Sequence, residues 1–176
     1  YNWEEMGKNN YAWWRQRMEH MSNYFDAIRI DHILGFFRIW SIPQKDIEGI
    51  LGTFVPSLPL GIHDFEAMGI YFEKDRFCNP FITDDTLRKF FPGNEAWVKE
   101  NILSNYQFKS SFNSQQKIAA YFKKNPEKAF LQQGLFDLIT DVILLEDEER
   151  TGYFHFRISM QLTESFKNLD QDRQQK

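Results

Sequence analysis

Apolar and polar positions change their spacing several times along the chain, and each change predicts an element. Behind Asn9 and Asn10, either of which can cap a helix, the apolar residues Tyr11, Trp14, Met18 and Met21 recur at helical spacing. The run from Phe25 to Asp31 then reads as a buried strand, in which Arg29 and Asp31, two residues apart, share one face. From Pro43 to Asn79 the placement of Gly49, Gly52, Pro56, Pro59 and Gly61 predicts irregular structure broken by short helical pieces such as Ile62 to Met68. Three better helix candidates follow: from Thr83 to Phe91 before Pro92, from Asn94 to about Leu103, and from Asn113 or Ser114 through Ile118, Tyr121 and Phe122. Pro126 suits the first turn of a further helix running to about Thr140. The period then falls to two, and Val142 to Glu146 and Tyr153 to Ile158 predict a hairpin across the acidic turn from Asp147 to Gly152.

A helix followed by a buried strand is half of a βαβ unit. Arg29 and Asp31 at the carboxyl end of that strand would place two costly charges in a low-dielectric site, where the carboxyl ends of barrel strands carry active sites. A guanidinium beside a carboxylate favours its ionised form, which suits Asp31 to act as a nucleophile or electrostatic stabiliser. From the Arg-x-Asp pattern alone, a structural ion pair closing the strand end is an equally good reading.

The wider string separates the two. Arg29-Ile30-Asp31-His32, followed by Gly35-Phe36, Trp40 and Ile42-Pro43, resembles the nucleophile segment of the amylomaltases, the 4-α-glucanotransferases of glycoside hydrolase family 77. Tyr1-Asn2-Trp3 and the paired Trp13-Trp14 resemble that family's preceding strand-to-helix segment. Ile33 and Leu34 stand where many short bacterial members carry an aromatic residue and an Arg. HILGFFRIW is therefore more similar to the larger branch that includes the plant cytosolic disproportionating enzyme, which carries a long insertion after this strand.

The resemblance implies an α/β fold. Residues 1–43 are expected to be a fragment of a (β/α)8 TIM barrel, helix plus nucleophile strand, and residues 44–176 a mostly helical insertion with a C-terminal β-hairpin. It implies Asp31 as catalytic nucleophile with Arg29 beside it, an α-1,4-glucan or maltooligosaccharide as substrate, no cofactor, and retaining double displacement that ends in transfer. The acid/base Glu and a stabilising Asp of that family lie on later strands, in a segment like Gly-Glu-Asp-Leu-Gly, which this sequence lacks. A complete barrel needs roughly 250 residues and the chain has 176, so it is expected to be an internal piece, inactive alone.

Further residues are candidates for holding sugar. Trp3, expected in a loop on the side of Asp31, can offer an indole face to a glucose ring. Phe36 and Trp40 either line acceptor subsites or pack under the inserted region. His32 either reaches a sugar hydroxyl or is structural. An α-amylase-type hydrolase shares the Arg-x-Asp ending, but the string from His32 to Pro43 disfavours it. A non-catalytic carbohydrate-binding or interaction module, with Arg29 and Asp31 structural, is the alternative of another class.

Composition narrows the rest. Hydrophobic residues make up 42% of the chain and include 18 Phe, enough for a packed core. The net charge of -4, with basic residues scattered among acids, disfavours nucleic acid as a partner. Cys78 is the single cysteine, which rules out an intrachain disulfide or a cysteine metal site and suits a reducing cytoplasm. No apolar run approaches the ~20 residues of a membrane span. Asp147, Glu148 and Glu149 lack the spacing of a calcium loop, and His20, His63 and His155 read as isolated, so no metal site is expected.

Overall fold

Asparagine side chains start both helices of the N-terminal region. Helix α1 (Trp3–Lys8) begins at Asn2, whose Oδ1 accepts the Glu5 amide at 3.1 Å. Helix α2 (Ala12–Ser22) begins after Asn9 Oδ1 accepts the Ala12 amide at 3.1 Å. The computed structural model describes residues 2–175, so the Tyr1 of the family resemblance lies outside the described residues. The chain divides into two compact units, Tyr1–Phe37 and Arg38–Lys176.

In the first unit a 3-10 turn, Ile33–Phe36, follows α2 after an extended connection, and no residue of α1, α2 or this turn is buried. The expected buried strand from Phe25 to Asp31 is not formed. These residues belong to no strand pair, and Tyr24, Phe25, Ile28 and Ile30 are exposed. A strand is held by its neighbours' hydrogen bonds, and here the Phe25 amide bonds back to the Met21 carbonyl at 3.1 Å, prolonging the end of α2 instead.

The second unit opens with an antiparallel pair, β1 (Ile39–Ser41) and β2 (Thr53–Val55), which sets Trp40 opposite Phe54. Of this pair only β2 falls within the stretch from Pro43 to Asn79 expected to be irregular, and β1 precedes it. After β3 (Leu60–Gly61) come α3 (Ile62–Ala67), α4 (Lys74–Cys78), α5 (Asp84–Phe90) and α6 (Glu95–Asn101). A two-stranded ribbon, β4 (Leu103–Ser104) and β5 (Gln107–Phe108), leads to α7 (Gln115–Lys124). The predicted caps form at Thr83, which accepts the Thr86 amide at 3.2 Å, and at Ser114, which accepts the Lys117 amide at 3.3 Å. The segment after Pro126 winds first as a 3-10 helix, Pro126–Leu131, and then as α8 (Gln132–Ile139). The predicted hairpin is present as β6 (Leu144–Glu146) and β7 (Tyr153–Phe156), with β3 on the other side of β7. Helical turns α9 (Glu164–Lys167) and α10 (Gln171–Gln175) end the described chain.

Two apolar cores stabilise this unit. One gathers Leu87, Phe91, Val98, Ile102, Ile118, Phe122, Leu135 and Leu138 between helices α5 to α8. Ile118 and Phe122 lie on one face of α7, as helical spacing requires. Close approach of α8 to the end of α5 depends on Gly134, where a β-carbon would lie 2.8 Å from the Phe91 ring. The other core packs Phe65, Phe77, Ile143 and Leu144 around Phe154 of the three-stranded sheet. No helix of the described residues is long and apolar enough to cross a membrane.

Candidate active site

The residues predicted to carry chemistry are split between the units. In the first, Arg29 Nε lies 2.8 Å from Asp31 Oδ1, so the two charges meet as the i, i+2 spacing predicted. Their side chains are 87% and 77% exposed, which corrects the expectation of a low-dielectric site. An exposed pair of this kind is worth about 0–1 kcal/mol, so it adds little to the stability of the fold.

His32 follows at φ 57°, a left-handed conformation that turns the chain into the Ile33–Phe36 turn. The Gly35 amide donates to the His32 carbonyl at 2.9 Å, and a β-carbon on Gly35 would lie 2.9 Å from His32 Cδ2. A side chain at Gly35 would therefore oblige the exposed imidazole, which folds back over the turn, to shift. Trp3 opens helix α1 rather than standing in a loop, a difference made by the Asn2 cap. Its ring centroid lies 6.0 Å from that of Phe36, which also meets Trp14 at 5.0 Å, and Trp14 meets Trp13 edge-on at 4.8 Å. Trp3 and Phe36, both proposed to hold sugar, therefore belong to one half-exposed aromatic group.

Trp40 lies in the second unit. Its Nε1 donates to the Gly49 carbonyl at 2.9 Å and its ring meets Phe54 edge-on at 4.9 Å. The indole donor is thereby committed, and the ring is what Trp40 has left to offer a ligand. Behind Gly49 is a group that the sequence reading missed. Gln115, fully buried on α7, accepts the Ile47 and Glu48 amides at 2.8 Å each and donates to Glu48 Oε2 at 2.9 Å. The other Glu48 oxygen accepts from Gln133 at 3.0 Å. The available signal was a polar residue on the stripe that Ile118 and Phe122 bury.

Other titratable groups of this unit are bound into the fold. His155, read as isolated, is paired with Asp147 at 2.7 Å across the hairpin turn. Burial pushes the Asp147 carboxyl up, but hydrogen bonds from His155 and from the Glu149 and Arg150 amides outweigh it and hold the group below its ordinary range. Asp141, buried, accepts the Glu164 and Ser165 amides at 3.0 and 2.9 Å. Burial pushes the Cys78 thiol up to about 12, which leaves it inert as a nucleophile at neutral pH. A cavity of about 520 Å³ opens beside Glu48, Phe90, Asp137 and Arg157. Among the described residues no group of three or more His, Cys, Asp or Glu side chains is placed to hold a metal ion.

The comparisons with known proteins agree on one family. The family model described as 4-alpha-glucanotransferase, glycoside hydrolase family 77, matches residues 1–140. The 4-alpha-glucanotransferase DPE2 of Oryza sativa subsp. japonica is 39% identical over 183 aligned residues, covering 97% of this chain and 19% of that protein. The 4-alpha-glucanotransferase of Aquifex aeolicus is 36% identical over 85 residues, covering 48% of this chain and 16% of its own length. The chloroplastic/amyloplastic enzyme of Solanum tuberosum is 35% identical over 71 residues, covering 39% and 12%. The chain thus spans about a fifth or less of the length of these relatives. No solved structure gives a significant match. On the family match across residues 1–140, the chain belongs to the 4-alpha-glucanotransferases of glycoside hydrolase family 77.

Proposed function

We propose that the chain is the nucleophile-bearing part of a 4-α-glucanotransferase that moves α-1,4-glucan units between maltooligosaccharides or glucans. The Asp31 carboxylate attacks the anomeric carbon of the donor, the bond to the leaving oxygen breaks, and that oxygen takes a proton from a second carboxyl group. An acceptor hydroxyl then attacks the same carbon, gives its proton to that second carboxylate and releases Asp31, so the anomeric configuration is retained. Arg29 orients the Asp31 carboxylate. His32, Trp3 and Phe36 are candidate contacts to sugar, and the Trp40 ring is a candidate contact to the acceptor. In the whole enzyme residues 1–43 belong to the (β/α)8 barrel and residues 44–176 to the insertion that follows its nucleophile strand. The lone cysteine supports a cytoplasmic setting.

One observation carries this reading: the Arg29–Asp31 contact at 2.8 Å, within a string that resembles the nucleophile segment, in a chain of this family. The test is Asp31→Asn in the full-length parent, assayed by maltooligosaccharide disproportionation. The swap is nearly isosteric and removes the nucleophilic charge, so turnover is expected to fall by at least about a thousandfold while the melting temperature holds. Near wild-type turnover would remove Asp31 from the role.

A further inference from the structure

We propose that Gln115 is a positioning residue for glucan transfer: from the core of the helical unit it fixes the turn that orients Trp40, and so sets how well the acceptor binds. This rests on the glucanotransferase reading and deepens it. Positions 115, 118 and 122 form one stripe of α7, and Gln115, Ile118 and Phe122 are all buried there. A primary amide in such a place carries a desolvation cost unless its polar atoms are bonded. Here the carbonyl oxygen accepts two amides, Ile47 and Glu48, and the amide nitrogen donates to the Glu48 carboxylate. The partners lie 67 and 68 residues away and all belong to one loop, between β1 and β2.

That loop decides where the indole sits. Gly49 follows Glu48 directly, and its carbonyl accepts the Trp40 Nε1 proton at 2.9 Å. The turn closes from Gly49 to Gly52 through a backbone bond of 3.1 Å, and a β-carbon on Gly52 would collide with the Trp40 indole. Trp40 is therefore seated on a turn whose backbone is tied to α7 by Gln115, and again by the Gln116 amide on the Lys45 carbonyl at 3.2 Å. Replacing Gln115 alone would leave the Ile47 and Glu48 amides and the Glu48 carboxylate without these partners, at a desolvation cost for each group that stays out of water. What Gln115 supplies is a defined loop position.

The experiment uses the full-length parent enzyme. Gln115→Met keeps length and volume and removes all three bonds. It is expected to raise the acceptor KM about tenfold, the scale of one or two lost buried hydrogen bonds, while the donor half-reaction that forms the glycosyl-enzyme changes less than about twofold. Trp40→Phe, which removes the Nε1 donor, should give the same split, and the double variant should be no worse than the worse single one. Exchange of the Trp40 indole proton should accelerate in Gln115→Met. Unchanged indole exchange, additive effects in the double variant, or a fall in kcat at constant acceptor KM would each overturn the proposal. If Gln115→Met fails to fold, Gln133→Leu at an exposed position loosens Glu48 alone and should raise the acceptor KM about threefold; no shift there also overturns it. Failure of the glucanotransferase reading would show separately, as a parent without transfer activity, while indole exchange would still judge the link from Gln115 to Trp40.

Discussion

The two units of this chain differ in how their side chains are held in place. Tyr1–Phe37 carries Arg29, Asp31, His32 and a group of aromatic rings, yet none of its helical residues is buried. Arg38–Lys176 holds two apolar cores and a set of buried polar side chains, each with bonded partners, such as Gln115, Asp141 and Ser165. In the first unit the side chains were placed by caps, a left-handed residue and ring contacts, which need little burial. In the second they were placed by packing. A protein can thus present a candidate catalytic pair in the right mutual geometry before that pair has a low-dielectric setting.

Core truncation should separate the units most strongly. Leu135 is fully buried, and Leu135→Ala should cost about 2–5 kcal/mol, read as a lowered unfolding midpoint for Arg38–Lys176. Leu34 of the first unit is 71% exposed, and Leu34→Ala should change the stability of Tyr1–Phe37 by less than about 0.5 kcal/mol. Comparable losses from the two would mean that the first unit has a core of its own.

Acid should act on the second unit next. Hydrogen bonds from Lys74 hold Glu146 below its ordinary value of 4.5, and those from Lys89 and Lys167 do the same for Glu164. Asp147 lies below its ordinary 3.8 despite the upward push of burial, through His155 and two backbone amides. A carboxyl group whose folded pKa is depressed contributes stability that is complete above its unfolded value and is lost as pH falls through the folded one. Burial raises Asp46 above 3.8, which has the opposite sign and partly offsets the three. The thermal stability of Arg38–Lys176 should therefore be nearly independent of pH between about 6 and 8 and fall as pH drops through 4.5 and 3.8. Asp147→Asn should flatten that fall, and an unchanged profile would remove the His155 pair from the account.

The smallest effect belongs to Arg29. Its partner is exposed, so Arg29→Ala in this chain should shift stability by less than about 1 kcal/mol, and a loss of several would show that the pair is buried in solution.

Elements made by local sequence were legible. Thr83 and Ser114 cap as their residue types predict, and the alternation from Tyr153 to Phe156 forms β7 against β6. Phe25 to Asp31 was misread because its apolar run signals burial by partners, and its own chain offers it no hydrogen-bonded strand. β1 and β2 were missed since three-residue strands, with Gly49 and Gly52 between them, leave no lasting alternation. Of the site, the Arg29–Asp31 contact followed from spacing, and the meeting of Trp3 with Phe36 did not. Gln115 was hidden because its partners are remote in sequence.

Covalent trapping decides whether Asp31 is the nucleophile. The full-length parent would be incubated with a fluorinated glycosyl donor that forms the glycosyl-enzyme faster than it is released, then digested and read by mass spectrometry. One added glycosyl mass is expected on the peptide containing Asp31, and none in Asp31→Asn. A label on another carboxylate, or labelling that survives Asp31→Asn, would contradict that assignment.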